Sequence, residues 1–161
     1  MNTSYSVVPV AKIENRRGEA AVRVAKEFIP ALERLQEFSH VTVLWWAHHL
    51  DTKEARSLTQ VEKPYRTAPD VLGIFATRSP MRPNPVAASV CGILGVDMNE
   101  GLVRLDWIDA EDGSPVIDIK PYLPCADRLR DVKSASWCVT WPSCVEDSAD
   151  FDWTSVFGGV E

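Results

Sequence analysis

The chain is short of several things at once, and each shortage removes a class of function. No apolar run approaches the roughly 20 residues that a membrane-spanning helix requires. The first residues, Met1–Ser6, carry neither the basic nor the apolar region of a secretory leader. The expectation is therefore a cytoplasmic chain with no membrane contact. Cysteine is sparse, and Cys91, Cys125, Cys138 and Cys144 form no CxxC pair and have no histidine at zinc-site spacing. Neither a metal centre nor a disulfide framework is expected, and the thiols should be reduced. Basic charge is in deficit: 17 Lys and Arg against 23 Asp and Glu leave a net charge of −6. That balance opposes a protein-wide footprint for duplex phosphates. No Lys or Arg follows Lys133, where Glu146, Asp147, Asp150, Asp152 and Glu161 accumulate. The reverse holds over Gly73–Val90, which has Arg78 and Arg82 and no acid. A local cationic pocket on an acidic protein is the consequence.

What is present fits one domain with one core, 161 residues long without repeats or linkers. Tyr5–Ile13 reads as a strand with Pro9 at an edge or bulge, Asn15–Gly18 as a turn, and Glu19–Lys26 as a second strand. Pro30–Phe38 reads as one short helix, opened by Pro30 and spaced by Leu32, Leu35 and Gln36. Val41–Ala47 is a buried strand, and Asp51–Pro69 a long polar loop of the kind that is functional or mobile. Val71–Thr77, Val86–Val96, Gly101–Ile108, Pro115–Ile119 and Ala135–Trp141 complete the expected strands, with turns at Met98–Gly101 and Glu111–Ser114. Many short strands point to a mainly β protein, a small antiparallel barrel or sandwich with one or two short helices, and not to a parallel α/β sheet.

Gly73–Pro85 suits neither an ordinary strand nor a helix. Pro80, Pro83 and Pro85 each remove a donor and restrict the residue before them. The stiffened course suits a ligand wall, because little entropy is lost on binding. Arg78, Ser79, Arg82 and Asn84 supply donors along it, and Arg can clamp a carboxylate with two parallel bonds. The competing view is a rigid turn with solvated arginines. In Asp112–Tyr122, Asp118 and Lys120 share one strand face, with Ile117 and Ile119 on the other. Asp118 there needs a partner among Arg78, Arg82 and Lys120.

Gly73–Ser89 and Asp112–Tyr122 resemble the two signature blocks of the TrmO/YaeB-like family of S-adenosylmethionine-dependent tRNA methyltransferases, and Phe38–Trp45 resembles a third. The resemblance implies a single barrel domain over 1–161, its core at about 4–124 and an aromatic, acidic tail at 125–161. It also implies a homodimer, bound S-adenosyl-L-methionine, and methylation of N6 of threonylcarbamoyl-adenosine beside the tRNA anticodon. Carried onto this chain, the donor-site candidates are Phe75, Ala76, Thr77, Arg78, Arg82, Asn84, Pro85 and Ser89, with Asp112, Gly113 and Pro115 from the second block. Asp118, Tyr122 and His40 are the candidates for accepting a proton from the acceptor nitrogen.

Two departures are visible. Glu14–Arg17 stands where the family has Pro-Arg-Gln, and Pro85-Val-Ala87 where it has Pro-Ile-Gly. They keep two alternatives open: a small-molecule methyltransferase, and a non-catalytic donor-binding dimer. His48 and His49 offer a base or a metal ligand, although one packed and one exposed ring is the commoner arrangement. The six tryptophans suit base stacking, but core and interface packing is the more usual role. Trp45 and Trp46 alternate, so only one can face a core.

Overall fold

The computed structural model describes residues 4–16 and 18–157. Met1–Thr3, Arg17 of the expected Asn15–Gly18 turn, and Glu161 of the acidic end lie outside the described residues. The chain divides into two compact units. One runs up to Asp51 and resumes over Pro85–Arg128; the other comprises Thr52–Asn84 and the residues from Leu129 on.

The first unit is a closed antiparallel barrel. Its strands are β1 (Ala11–Arg16), β2 (Glu19–Val24), β3 (His40–Trp46), β6 (Val86–Asp97), β7 (Leu102–Leu105) and β8 (Pro115–Pro121). They follow one another around the barrel as β1-β2-β7-β6-β3-β8, and β8 pairs back onto β1. Alternation builds the interior: along β3, Val41, Val43 and Trp45 are buried, while Thr42, Leu44 and Trp46 are partly exposed. Ile13, Val22, Val103, Val116 and Cys91 join them, all essentially without exposure. Each fully buried Val or Ile contributes about 1.5–3 kcal/mol. Burial pushes the Cys91 thiol up to about 12, so it stays protonated. The β6–β7 hairpin turns at Met98–Gly101, where Gly101 takes a φ of 61°, a conformation that favours glycine.

Several elements depart from the sequence reading. The first strand starts at Ala11 rather than Tyr5, and Tyr5, Val7 and Val8 are exposed. Pro9 has no N–H to donate, so the ladder begins beyond it. Pro30–Phe38 is not one α-helix but part of two 3₁₀ segments, Lys26–Leu32 and Leu35–Glu37. Arg34 between them has a φ of 68°, which interrupts any continuous helix. Leu32, at the end of the first segment, and Leu35, at the start of the second, are still the buried residues. On β8 the expected simple alternation breaks. Trp45 pairs with Val116 but Leu44 with Asp118, so Ile117 is the extra residue of a bulge. Val116 and Ile119 pack into the core; Asp118 and Lys120 share the other face.

The second unit has short elements. The Asp51–Pro69 segment holds α1 (Lys53–Ser57) and β4 (Gln60–Glu62). Thr52 Oγ1 caps α1 by accepting from the Ala55 N–H at 3.1 Å. β4 pairs with β5 (Val71–Gly73), which ends there rather than at Thr77. The remaining α-helix, α2 (Pro124–Asp127), belongs to the barrel unit. Ala135–Trp141 is not a strand: Ser136–Cys138 forms a 3₁₀ turn. No described helix is long and apolar enough to cross a membrane.

Replacing Ile13 by Ala should cost about 2–5 kcal/mol, the range for emptying a core site. Val8→Ala, at an exposed position, should stay within about 0.5 kcal/mol. Urea denaturation of both variants measures the contrast.

Candidate functional site

The proline-stiffened segment is shaped by local hydrogen bonds that compete with strand pairing. Ile74–Ala76 forms a 3₁₀ turn directly after β5. The Thr77 backbone N–H donates to the Ile74 carbonyl at 3.1 Å, and the Thr77 hydroxyl donates to the same carbonyl at 2.9 Å. Thr77 is buried, and its Oγ1 also accepts from the Ser79 N–H at 3.2 Å. A side chain that bonds back to the main chain in this way diverts the backbone from a ladder. Arg82 then braces the turn. Its Nη2 lies 3.3 Å from the Thr77 carbonyl and 3.5 Å from that of Ile74, and its guanidinium lies 5.9 Å from the centroid of the Phe75 ring. Arg56 donates to the Pro83 carbonyl at 3.2 Å. The result holds Phe75, 80% exposed, away from the protein interior.

Phe75, Ala76, Thr77 and Arg78 line a cavity of about 210 Å3 within the second unit, with Tyr65 and Trp141 among the other walls. Arg78 is exposed, and Asn84 also faces solvent. The remaining donor-site candidates belong to the barrel unit, which is described by itself. Pro85 is fully buried, and its carbonyl accepts from the Ala47 N–H at 2.8 Å just beyond β3. Ser89 is buried on β6 and accepts from Trp45 Nε1 at 3.0 Å, which satisfies the indole N–H that Trp45 carries inward on the Val41–Val43 face of β3. Trp46 Nε1 instead donates to Asp51 at 2.9 Å.

Asp112, Gly113 and Pro115 sit where β8 meets β1. Asp112 accepts from the Asn15 N–H and from Arg16 Nε, each at 3.1 Å. These two donors hold its carboxyl below its ordinary value of 3.8, the backbone bond contributing most. Gly113, with a φ of 82°, turns the chain so that its N–H reaches the Ile13 carbonyl at 2.8 Å. Pro115 opens β8 opposite Lys12. The neighbouring Ser114 is buried with its Oγ 3.2 Å from His48 Nδ1. His48 stacks on His49 at 3.8 Å between centroids, and only His49 is well exposed. Among the described residues no group of three His, Cys, Asp or Glu side chains is placed to hold a metal ion.

Of the three proton-acceptor candidates, two come together. The Tyr122 N–H donates to the His40 carbonyl at 3.0 Å, and their rings meet edge to face at 6.5 Å. His40 Nδ1 lies 2.8 Å from Ser39 Oγ. Asp118 lies further along β8, opposite Leu44, and pairs with Lys120 at 2.6 Å. The expected partner of Asp118 is thus Lys120, two residues on along the same face. Asp118 also lines a second cavity, of about 280 Å3, with Leu32, Leu35, Phe38 and Ile119. Sequence reasoning did not single out Tyr65, Trp137, Cys138 or Trp141 as lining residues. The signal was present in the aromatic spacing of the tail, but it carries no information about which loop the tail meets.

A closed antiparallel barrel, with chemistry-bearing residues on the segments flanking its strands, defines a β-barrel domain and not a parallel nucleotide-binding sheet. The comparisons are more specific. Residues 3–128 match the family model described as the tRNA-methyltransferase O N-terminal domain, and the chain belongs to that family. An S-adenosyl-L-methionine-binding protein of Archaeoglobus fulgidus is 41% identical over 111 residues, 67% of this chain and 74% of that protein. The tRNA (adenine(37)-N6)-methyltransferase of Escherichia coli is 34% identical over 133 residues, 81% of this chain. A crystal structure of TrmO superposes with a TM-score of 0.64 at 31% identity, covering 82% of this chain. The chain spans 55% of the length of the E. coli enzyme and 64% of that crystallised chain.

Two outcomes follow from the geometry. Arg82→Ala should lower stability by roughly 1–2 kcal/mol through loss of its charged donors to two carbonyls. Arg82→Lys should restore only part of this, since the ammonium does not reproduce the planar guanidinium's contact with the Phe75 ring; chemical denaturation of both variants reads it. For Asp112, the depressed value favours the folded state above the usual carboxylate range, and that contribution is lost as pH falls through the folded value. Stability measured between about pH 2 and 6 should therefore fall less steeply in Asp112→Asn than in the parent.

Proposed function

We propose that this protein transfers a methyl group from S-adenosyl-L-methionine to N6 of the adenosine beside the anticodon of tRNA, the threonylcarbamoyl form of that base being the preferred acceptor. Family membership over residues 3–128 carries the reading, and the chemistry of the stiffened segment supports it. A nucleoside donor with an amino-acid tail needs a ring-binding wall, carbonyl groups and a cation for its carboxylate. Phe75 and Tyr65 supply rings, the Ile74–Thr77 turn supplies backbone polar groups, and Arg78 and Arg82 supply the cations.

The bound donor supplies an already electrophilic methyl, so the protein's task is alignment and proton handling. A braced turn performs the first: Arg82 and Thr77 hold the Phe75–Arg78 backbone, leaving little freedom to be lost on binding. Asp118, Tyr122 and His40 are the groups for the second. A carboxylate accepts a proton directly, and the Asp118 carboxylate is held in place by its pairing with the Lys120 ammonium. Pro85, Ser89, Asp112, Gly113 and Pro115 act through the barrel frame that carries these groups. The protein works in the cytoplasm as a homodimer.

The net charge of −6 favours a second reading, a small-molecule acceptor in place of tRNA. Calorimetric titration with S-adenosyl-L-methionine, followed by transfer of labelled methyl to tRNA from a strain lacking this gene, separates the two. N6-methylated adenosine in the digested tRNA is the expected product. Label that enters a metabolite extract but no tRNA would overturn the tRNA assignment, and donor binding without any turnover would leave a binding protein.

A further inference from the structure

The tail from Leu129 on lies beyond the family match at 3–128, yet it is tied to the unit that holds the stiffened segment. Thr67 Oγ1 donates to the Trp137 carbonyl at 2.9 Å, and the Arg66 N–H donates to the Val156 carbonyl at 2.9 Å. Tyr65 bridges to Phe157 and stands edge-on to Trp141, with centroids 4.8 Å apart; Trp141 in turn meets Trp153 at 5.8 Å. The tail thereby delivers Trp137, Cys138 and Trp141 to the cavity whose other side is Phe75–Arg78.

The lining has a definite chemical bias. It combines four aromatic side chains, Tyr65, Phe75, Trp137 and Trp141, with one cation, Arg78, and no carboxylate. Aromatic walls bind flat ring systems by stacking, and a single arginine at such a site selects for an attached anionic group. Cavities for drug-sized ligands run to roughly 300–1,000 Å3. At about 210 Å3 this one has room for a single ring system.

We infer that the tail completes a purine-binding cleft, with Trp137 and Trp141 facing the Phe75–Arg78 segment across an adenine ring. This rests on the methyltransferase reading. An adenine ring is common to the methyl donor and to the acceptor nucleotide, and both carry an anionic group, a carboxylate in one and a phosphate in the other. In either case the aromatic tail is a ligand-binding element that lies outside the family match at residues 3–128.

The test uses the full-length protein and Cys138 as an internal reporter, because Cys138 lines the cavity while Cys125 and Cys144 are exposed and Cys91 is buried. Iodoacetamide labelling is followed by mass spectrometry with no ligand, with S-adenosyl-L-methionine, with S-adenosylhomocysteine, and with adenosine monophosphate. A ligand at ten times its Kd should slow Cys138 alkylation about 10-fold and leave Cys125 unchanged. Protection by the donor and its product assigns the cleft to the donor's adenine; protection by the monophosphate alone assigns it to the acceptor base. Trp141→Ala should weaken the protecting ligand about 5- to 150-fold, the range for losing one stacked ring, and Trp141→Phe should recover most of it. If calorimetry shows donor binding while Cys138 reacts at an unchanged rate with every ligand, the cleft is refuted and the methyltransferase reading stands. If no donor binds and the monophosphate gives no protection, both fail.

Discussion

The pairing of β8 back onto β1 is the constraint on which the barrel unit depends. Only two residue pairs, Ala11 with Val116 and Lys12 with Pro115, are in register there. They are reinforced by backbone bonds from Val10 to Val116 at 2.8 Å, from Ile13 to Ser114 at 2.9 Å and from Gly113 to Ile13 at 2.8 Å. Without this seam the sheet would have two open edges, with their row of unpaired backbone groups. With it, Ile13 and Val116 enter one interior, and the Asp112–Pro115 block is held against the end of β1. A signature block of the family thus doubles as the seam, which gives Asp112 and Gly113 a structural reason to be what they are.

The same economy governs the stiffened segment. Prolines at 80, 83 and 85 remove freedom before any contact is made. The Thr77 hydroxyl and the Arg82 guanidinium then use the Ile74 and Thr77 carbonyls, so these two acceptors are satisfied from within the segment. An arginine that composition marks as an anion anchor is, in the fold, also a brace. The two roles are compatible, because a guanidinium has five donors and the turn engages only part of them.

The bulge on β8 shows how little a single residue must change to relocate chemistry. Strict alternation would put Ile117 and Ile119 on one face. The extra residue at Ile117 keeps Val116 and Ile119 inside and leaves Asp118 and Lys120 together outside, where they pair at 2.6 Å. A period-two pattern contains no signal for such an insertion, since both faces of a strand tolerate isoleucine.

The sequence by itself determined the fold class, the β6–β7 turn at Met98–Gly101, the inward choice between adjacent tryptophans as a strict alternative, and the family blocks at Gly73–Ser89 and Asp112–Tyr122. These are local matters of period, turn chemistry and residue type, legible along the chain. Only the tertiary structure decided that Leu32 and Leu35 pack from 3₁₀ turns, that Trp45 is the buried ring with its N–H on Ser89, and that Asp118 pairs with Lys120. It also decided that Trp137 and Trp141, more than 60 residues from Phe75 in the chain, share its cavity. Contacts between residues so far apart depend on which surfaces remain to be covered once the local elements have formed, and nothing in either segment alone encodes that choice.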